Sequence, residues 1–123
     1  MKKSIFTDKA PKAIGPYSQA VTANGMIYTS GQLGMDYEGV LEETVEGQAH
    51  KAIQNLIAIL EEAETSIENV VKTTVFLADI NDFIKVNEIY GQYFKEPYPA
   101  RSAFEVANLP KGAKVEIEAI ATL

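Results

Sequence analysis

The sequence predicts an α+β domain in which one mixed sheet carries two helices on a single face. Two stretches with helical apolar spacing, at about 43–63 and 80–94, point that way. So does the β-branched run between them, VVKTTVFLA (70–78), together with short alternating runs near both chain ends. Two helices and one sheet pack most economically with both helices on the same side. The opposite sheet face then needs cover of its own. Its strands carry Val, Ile and Phe, so the expected cover is another copy of the chain, in a homo-oligomer.

A short strand is expected near 3–6. SQAVTANGMIYTSGQ then holds two β-rich runs, at about 18–23 and 26–31, joined by Asn24-Gly25. That dipeptide suits a type I′ turn because both positions tolerate positive φ. GMDYEGVLEE is glycine-punctuated and polar, and reads as a loop. From Glu43 to Ala63, Val45, Ala49, Ala52, Ile53, Leu56, Ile57, Leu60 and Ala63 form one broad apolar stripe. The near-continuous apolar character of 70–78 predicts a central strand covered on both faces. In the next helix Asn81 or Asp82 is the expected N-cap, and Phe83, Val86, Tyr90 and Phe94 share its buried side. After the KEPYP turn come strands at about 100–106 and 114–121, joined by NLPKGA. The order is β-β-β-α-β-α-β-β.

Composition bounds the chemistry. The 123 residues, 46% hydrophobic, read as one domain, 1–123, with no linker, repeat or low-complexity segment. No cysteine is present, so disulfides, thiolate nucleophiles and cysteine metal sites are ruled out, and the single histidine, His50, rules out a histidine-rich zinc site. No segment approaches the roughly 20 apolar residues that span a bilayer, and MKKSIFTDKAP lacks the apolar run of a signal peptide. A cytoplasmic location is the expectation. The net charge is −6 and the eleven basic residues are scattered, which argues against a nucleic-acid partner.

One arginine stands out. RSAFEV alternates, so Arg101, Ala103 and Glu105 face one way and Ser102, Phe104 and Val106 the other. In a strand read as buried, Arg101 needs a partner, because an unpaired buried charge is costly. In KVEIEAIATL, Glu116 or Glu118 could meet it across neighbouring strands, as a salt bridge of the fold or as part of a ligand site. AIGPYSQAV and YTSGQLG add Tyr17 and Ser30, whose hydroxyls serve a turn or a ligand, and Gly31, where backbone can be approached closely. Asn87, one step from Val86, either satisfies buried backbone or points into a pocket. His50 reads as an ordinary surface or boundary residue. No nucleophilic triad, phosphate loop, metal cluster or dinucleotide fingerprint is found.

AIGPYSQAV, YTSGQ, VVKTTVFLAD, VNEIYGQYF and PARSAFEVANLPKGAKVEIEAIA together resemble the RidA (YjgF) family of imine/enamine deaminases, over nearly the whole chain. The resemblance implies a chorismate-mutase-like α+β fold and a homotrimer with ligand sites in the clefts between subunits. It implies that Arg101 holds a substrate carboxylate and that Glu116, not Glu118, positions the hydrolytic water. Tyr17, Ser30, Gly31, Asn87 and Ala103 would line the same cleft. The implied substrates are 2-iminobutanoate and 2-iminopropanoate, formed from enamines released by pyridoxal-phosphate-dependent dehydratases and hydrolysed to 2-oxo acids and ammonia. Neither metal nor cofactor is called for. A trimer that binds small 2-oxo acids without turnover is the alternative, and ribonuclease activity, also linked to the family, is a third reading. One departure is plain: relatives with deaminase activity usually read ARSCVEV, and here Ala103 and Phe104 stand in that stretch.

Overall fold

A computed structural model describes all residues, 1–123. Strands β1 (Lys3–Ile5), β2 (Ala20–Ala23), β3 (Met26–Thr29) and β4 (Gln32–Leu33) precede helix α1 (Val45–Glu62). Then follow β5 (Val70–Leu77), α2 (Phe83–Tyr93), β6 (Ala100–Glu105) and β7 (Val115–Thr122). They form one mixed sheet in the order β1-β2-β3-β7-β5-β6, with β4 also pairing β7. Only β5 and β6 run parallel; α2 makes the crossover that a parallel pair requires.

The turn between β2 and β3 is the expected one, with Asn24 at φ 52° and Gly25 at φ 76°. The β3 run ends earlier than its sequence suggests, and β4 was not legible at all. Both have one cause. Beyond Thr29 the chain breaks step at Ser30-Gly31 and then rejoins β7 further along, opposite Ile117 and Glu116. Across the break the Thr29 hydroxyl accepts the Ala119 backbone N–H at 3.0 Å, replacing a ladder bond with a side-chain bond. Two residues between glycines carry no periodic signal.

Both helices lie on one face of the sheet, as expected. Thr44 caps α1, its hydroxyl accepting from the Gly47 N–H. Its apolar stripe buries Val45, Ala49, Ala52, Ile53, Leu56, Ile59 and Leu60 against Val75, Leu77, Val115 and Ile117 of the sheet. Two polar residues share that face. Gln48 accepts the Lys114 N–H and donates to the Glu42 carbonyl, while Asn55 donates to the carbonyls of Leu33 and Met35. These amides tie α1 to β4, to the loop that follows it and to the residue before β7. At α2 the capping expectation needs correction. Asp82 holds the N-cap position without a capping bond; the Asp79 carboxylate instead accepts from Asn81 N–H, at the start of a short 3₁₀ turn.

Two burial expectations are also corrected. In β5 only Val70, Thr73, Val75 and Leu77 are buried, and Val71, at a bulge, is exposed. Strand β6 is an edge strand, largely exposed rather than buried. The uncovered sheet face carries Tyr28, Val71, Phe76 and Phe104, the last two in edge-to-face contact at 5.5 Å. An apolar face of this kind is what the sequence reading assigned to a second copy of the chain.

The β4 segment lies tight against α1: a methyl group on Gly34 would come within 2.2 Å of Gln48 Cα. Gly34→Ala must therefore displace backbone, and it is expected to cost about 3 kcal/mol. A chemical denaturation midpoint matching wild type would contradict this packing.

Candidate functional site

Arg101 projects from β6 on the helix side of the sheet, beside Thr73, its partner in register on β5. Its Nη1 donates to Asn87 Oδ1 at 2.8 Å. The guanidinium carbon sits 4.7 Å from the centre of the Tyr90 ring and 5.3 Å from that of Phe83. Arg101, Asn87 and Tyr90, with Gly91, Tyr98 and Pro99, line a cleft of about 410 Å3. Every group that holds the arginine is neutral. Its charge is oriented but not neutralised, and so remains available to an anion.

Neither Glu116 nor Glu118 is that anion. Strand β5 lies between β6 and β7, so the expected cross-strand meeting does not occur. Parity separates them further. Arg101 pairs with Thr73, and Thr73 with Ala119, all on the helix side. Glu116 pairs with Phe76 and Glu118 with Thr74, on the open side.

Glu116 forms a second cluster there. The break between β3 and β4 places Gly31 directly against it, where a methyl group would lie 2.7 Å from Glu116 Cδ. Only a residue without a side chain leaves that carboxylate in place. A cleft of about 290 Å3 joins Glu116 and Gly31 to Tyr17, Lys12, Lys111 and Pro110. Burial raises the Glu116 carboxyl above the ordinary glutamate value, and the like charge of Glu118, two residues on along the same face, adds to it. Ser30 lies at the same strand break, its hydroxyl donating to the Ser18 carbonyl at 2.6 Å.

The residues singled out in the sequence thus fall into two groups within one chain: Arg101 with Asn87, and Glu116 with Tyr17 and Gly31. Ala103, in register with Val75, faces the helix side like Arg101 and packs against the core. The sequence reading missed the two aromatic rings beneath Arg101. Phe83 and Tyr90 lie four residues before and three after Asn87, a helical spacing that places all three side by side. Their spacing in the sequence marks them only as core. Lys12 and Lys111, at the rim of the Glu116 cleft, carried no signal in the sequence, being loop lysines far apart in the chain.

Fold and site together define a class: a small α+β domain that offers an unneutralised arginine at a sheet edge and a partly buried carboxylate on the opposite face. A family model described as Endoribonuclease L-PSP matches residues 7–123. The human protein named 2-iminobutanoate/2-iminopropanoate deaminase is 54% identical, over 98% of this chain and 90% of its own. Among solved structures, a Rid-family protein of Yersinia pestis superposes with a TM-score of 0.97 at 48% identity, covering all of both chains. E. coli TdcF with bound serine gives 0.93 at 45% identity, covering 98% of each. The chain belongs to the RidA (YjgF) family.

The state of Glu116 has a consequence for stability. With its pKa raised on folding, the native chain holds that proton more tightly than the unfolded one. Stability is therefore lost as pH rises from the unfolded value through the folded one, and stays reduced above it. Glu116→Gln removes this penalty. The variant's thermal midpoint is expected to exceed wild type at pH 7 and to converge with it below about pH 4. A gap that does not change with pH would contradict the assignment.

Proposed function

We propose that the protein hydrolyses 2-iminobutanoate, 2-iminopropanoate and their enamine tautomers to 2-oxo acids and ammonia, in a homotrimer whose sites lie between subunits. The carrying observation is that Arg101 is held only by neutral groups, on the face opposite Glu116. One chain cannot bring the two to a single small substrate; the Arg101 edge of one subunit against the Glu116 cleft of its neighbour can. The uncovered apolar face supplies the reason to associate. The relatives' names support the activity, and TdcF was solved with serine, a small amino acid carrying the kind of carboxylate that an arginine fork accepts.

In this site Arg101 grips the substrate carboxylate in two parallel hydrogen bonds and so fixes the adjacent C=N carbon. Glu116 of the facing subunit accepts a proton from water as the water oxygen bonds to that carbon and the C=N π pair moves to nitrogen. The proton then passes to nitrogen, giving a 2-amino-2-hydroxy acid; its hydroxyl proton moves to nitrogen as the C=O bond forms and the C–N bond breaks, so ammonia leaves and the 2-oxo acid remains. A raised pKa makes the Glu116 carboxylate a better base than an ordinary glutamate. Tyr17, Ser30 and Gly31 line the water side, and Asn87 holds the clamp. Attack by water needs no thiol, so Ala103 supplies backbone and a small side chain where relatives carry cysteine. No helix is long and apolar enough to cross a membrane, and the protein would act in the cytoplasm beside pyridoxal-phosphate-dependent dehydratases. The family model's description names an endoribonuclease, but in this chain acidic residues outnumber basic ones, 17 to 11, and neither cleft is basic throughout.

A threonine dehydratase coupled to this protein, with semicarbazide competing for the imine, tests the reading. Wild type is expected to outrun the trap, whereas Arg101→Ala and Glu116→Ala each do not. Co-refolding the two inactive variants should restore about a quarter of wild-type activity, since random mixing pairs an intact arginine with an intact glutamate at one interface in four. No restoration would place both residues in one chain's site. No acceleration by wild type, with 2-oxobutanoate still bound, would mark a carrier or sensor.

A further inference from the structure

We infer that Tyr90 is a positioning residue for the anion clamp: its ring, tied to β5 through Thr73, is the platform that sets the plane of the Arg101 guanidinium. The inference rests on Arg101 holding the substrate carboxylate.

An arginine on an exposed edge strand has many rotamers, and a bidentate grip needs one of them. Backbone register places the Arg101 Cα beside Thr73. The Thr73 hydroxyl, fully buried, meets the Tyr90 hydroxyl at 2.7 Å, either oxygen able to donate. One β5 residue thus fixes both the strand that carries the arginine and the ring that lies under it. Phe94, one helical turn on, stacks on Tyr90 at 4.2 Å with 25° between the planes and braces the ring. The guanidinium, at 4.7 Å, is within cation–π reach of the ring, and Asn87 on the same helix takes Nη1. One N–H is thereby occupied, and the arginine, with its other donors, lines the cleft. A tyrosine serving only the core would need a hydroxyl partner and apolar neighbours. It would not need a guanidinium over its ring.

The test is the dissociation constant for 2-oxobutanoate, measured by calorimetry on the assembled protein, alongside thermal unfolding. Tyr90→Phe keeps the ring and loses the tether; it is expected to lower the unfolding midpoint yet bind within about twofold of wild type. Tyr90→Leu is expected to weaken binding about five- to tenfold, and in turnover to raise KM far more than it lowers kcat. In an Arg101→Lys background, where no planar group lies over the ring, the added effect of Tyr90→Leu should shrink below about twofold. A folded Tyr90→Leu protein that binds like wild type, or Phe and Leu variants that weaken equally, would overturn the inference. Should Tyr90→Leu fail to fold, Tyr90→Met decides: it fills the space with a flexible chain and no planar ring, and affinity equal to that of Tyr90→Phe would sink the proposal. Failure of the clamp itself reads differently, as a wild-type protein that does not bind 2-oxobutanoate or an Arg101→Ala protein that still does.

Discussion

In a pleated strand successive side chains alternate between faces, and residues paired across neighbouring strands share one. Because β7 lies at the centre of the sheet, with β3 and β4 on one side and β5 on the other, its register sets the face of nearly every residue of interest. Val115, Ile117, Ala119 and Ala121 go to the core under the helices, and Glu116 and Glu118 go to the open face. Through β5 the same parity sends Arg101 to the helix side. A slip of one residue anywhere along these ladders would exchange core for surface and dismantle both halves of the proposed site.

The two halves are built differently. Arg101 stands on an edge strand and is held by side chains of one helix, so its orientation depends on how α2 packs. Glu116 stands on the central strand, and its room comes from an irregularity, the step at Ser30-Gly31 where β3 gives way to β4. Thr29 makes that step tolerable by satisfying the Ala119 N–H. A regular ladder through this region would have put a side chain where the carboxylate lies. The interruption thus shapes the cleft at Glu116 rather than being a flaw in the sheet.

Polar groups buried under the helices serve the same end. Gln48 and Asn55 bind the chain around β4 to α1, and Gly34 allows the close approach. Thr73 and Tyr90 satisfy one another beneath Arg101. In each case a polar residue inside the core holds in place a segment that bears on one of the two clefts, where an apolar residue would have filled space without fixing position.

Much of the fold was written in local pattern. The helical stripes of α1 and α2, the Asn24-Gly25 turn and the alternation of β7 are properties of a few neighbouring residues, and elements that follow from local periodicity can be read from it. The family motifs likewise pointed to Arg101 and Glu116. What no pattern held was the relation between elements. That β5 separates β6 from β7, that β6 is an edge, and that β4 exists at all depend on pairings between residues far apart in the chain. The expected Arg101–glutamate meeting failed for that reason, and so did the reading of Tyr90 as core alone: a helical stripe says which face is buried, but only packing decides what lies over it. The sequence by itself determined which segments become helices and strands and which residue types are available for chemistry. Tertiary structure decided which of those residues can meet, because strand order and face parity are long-range facts.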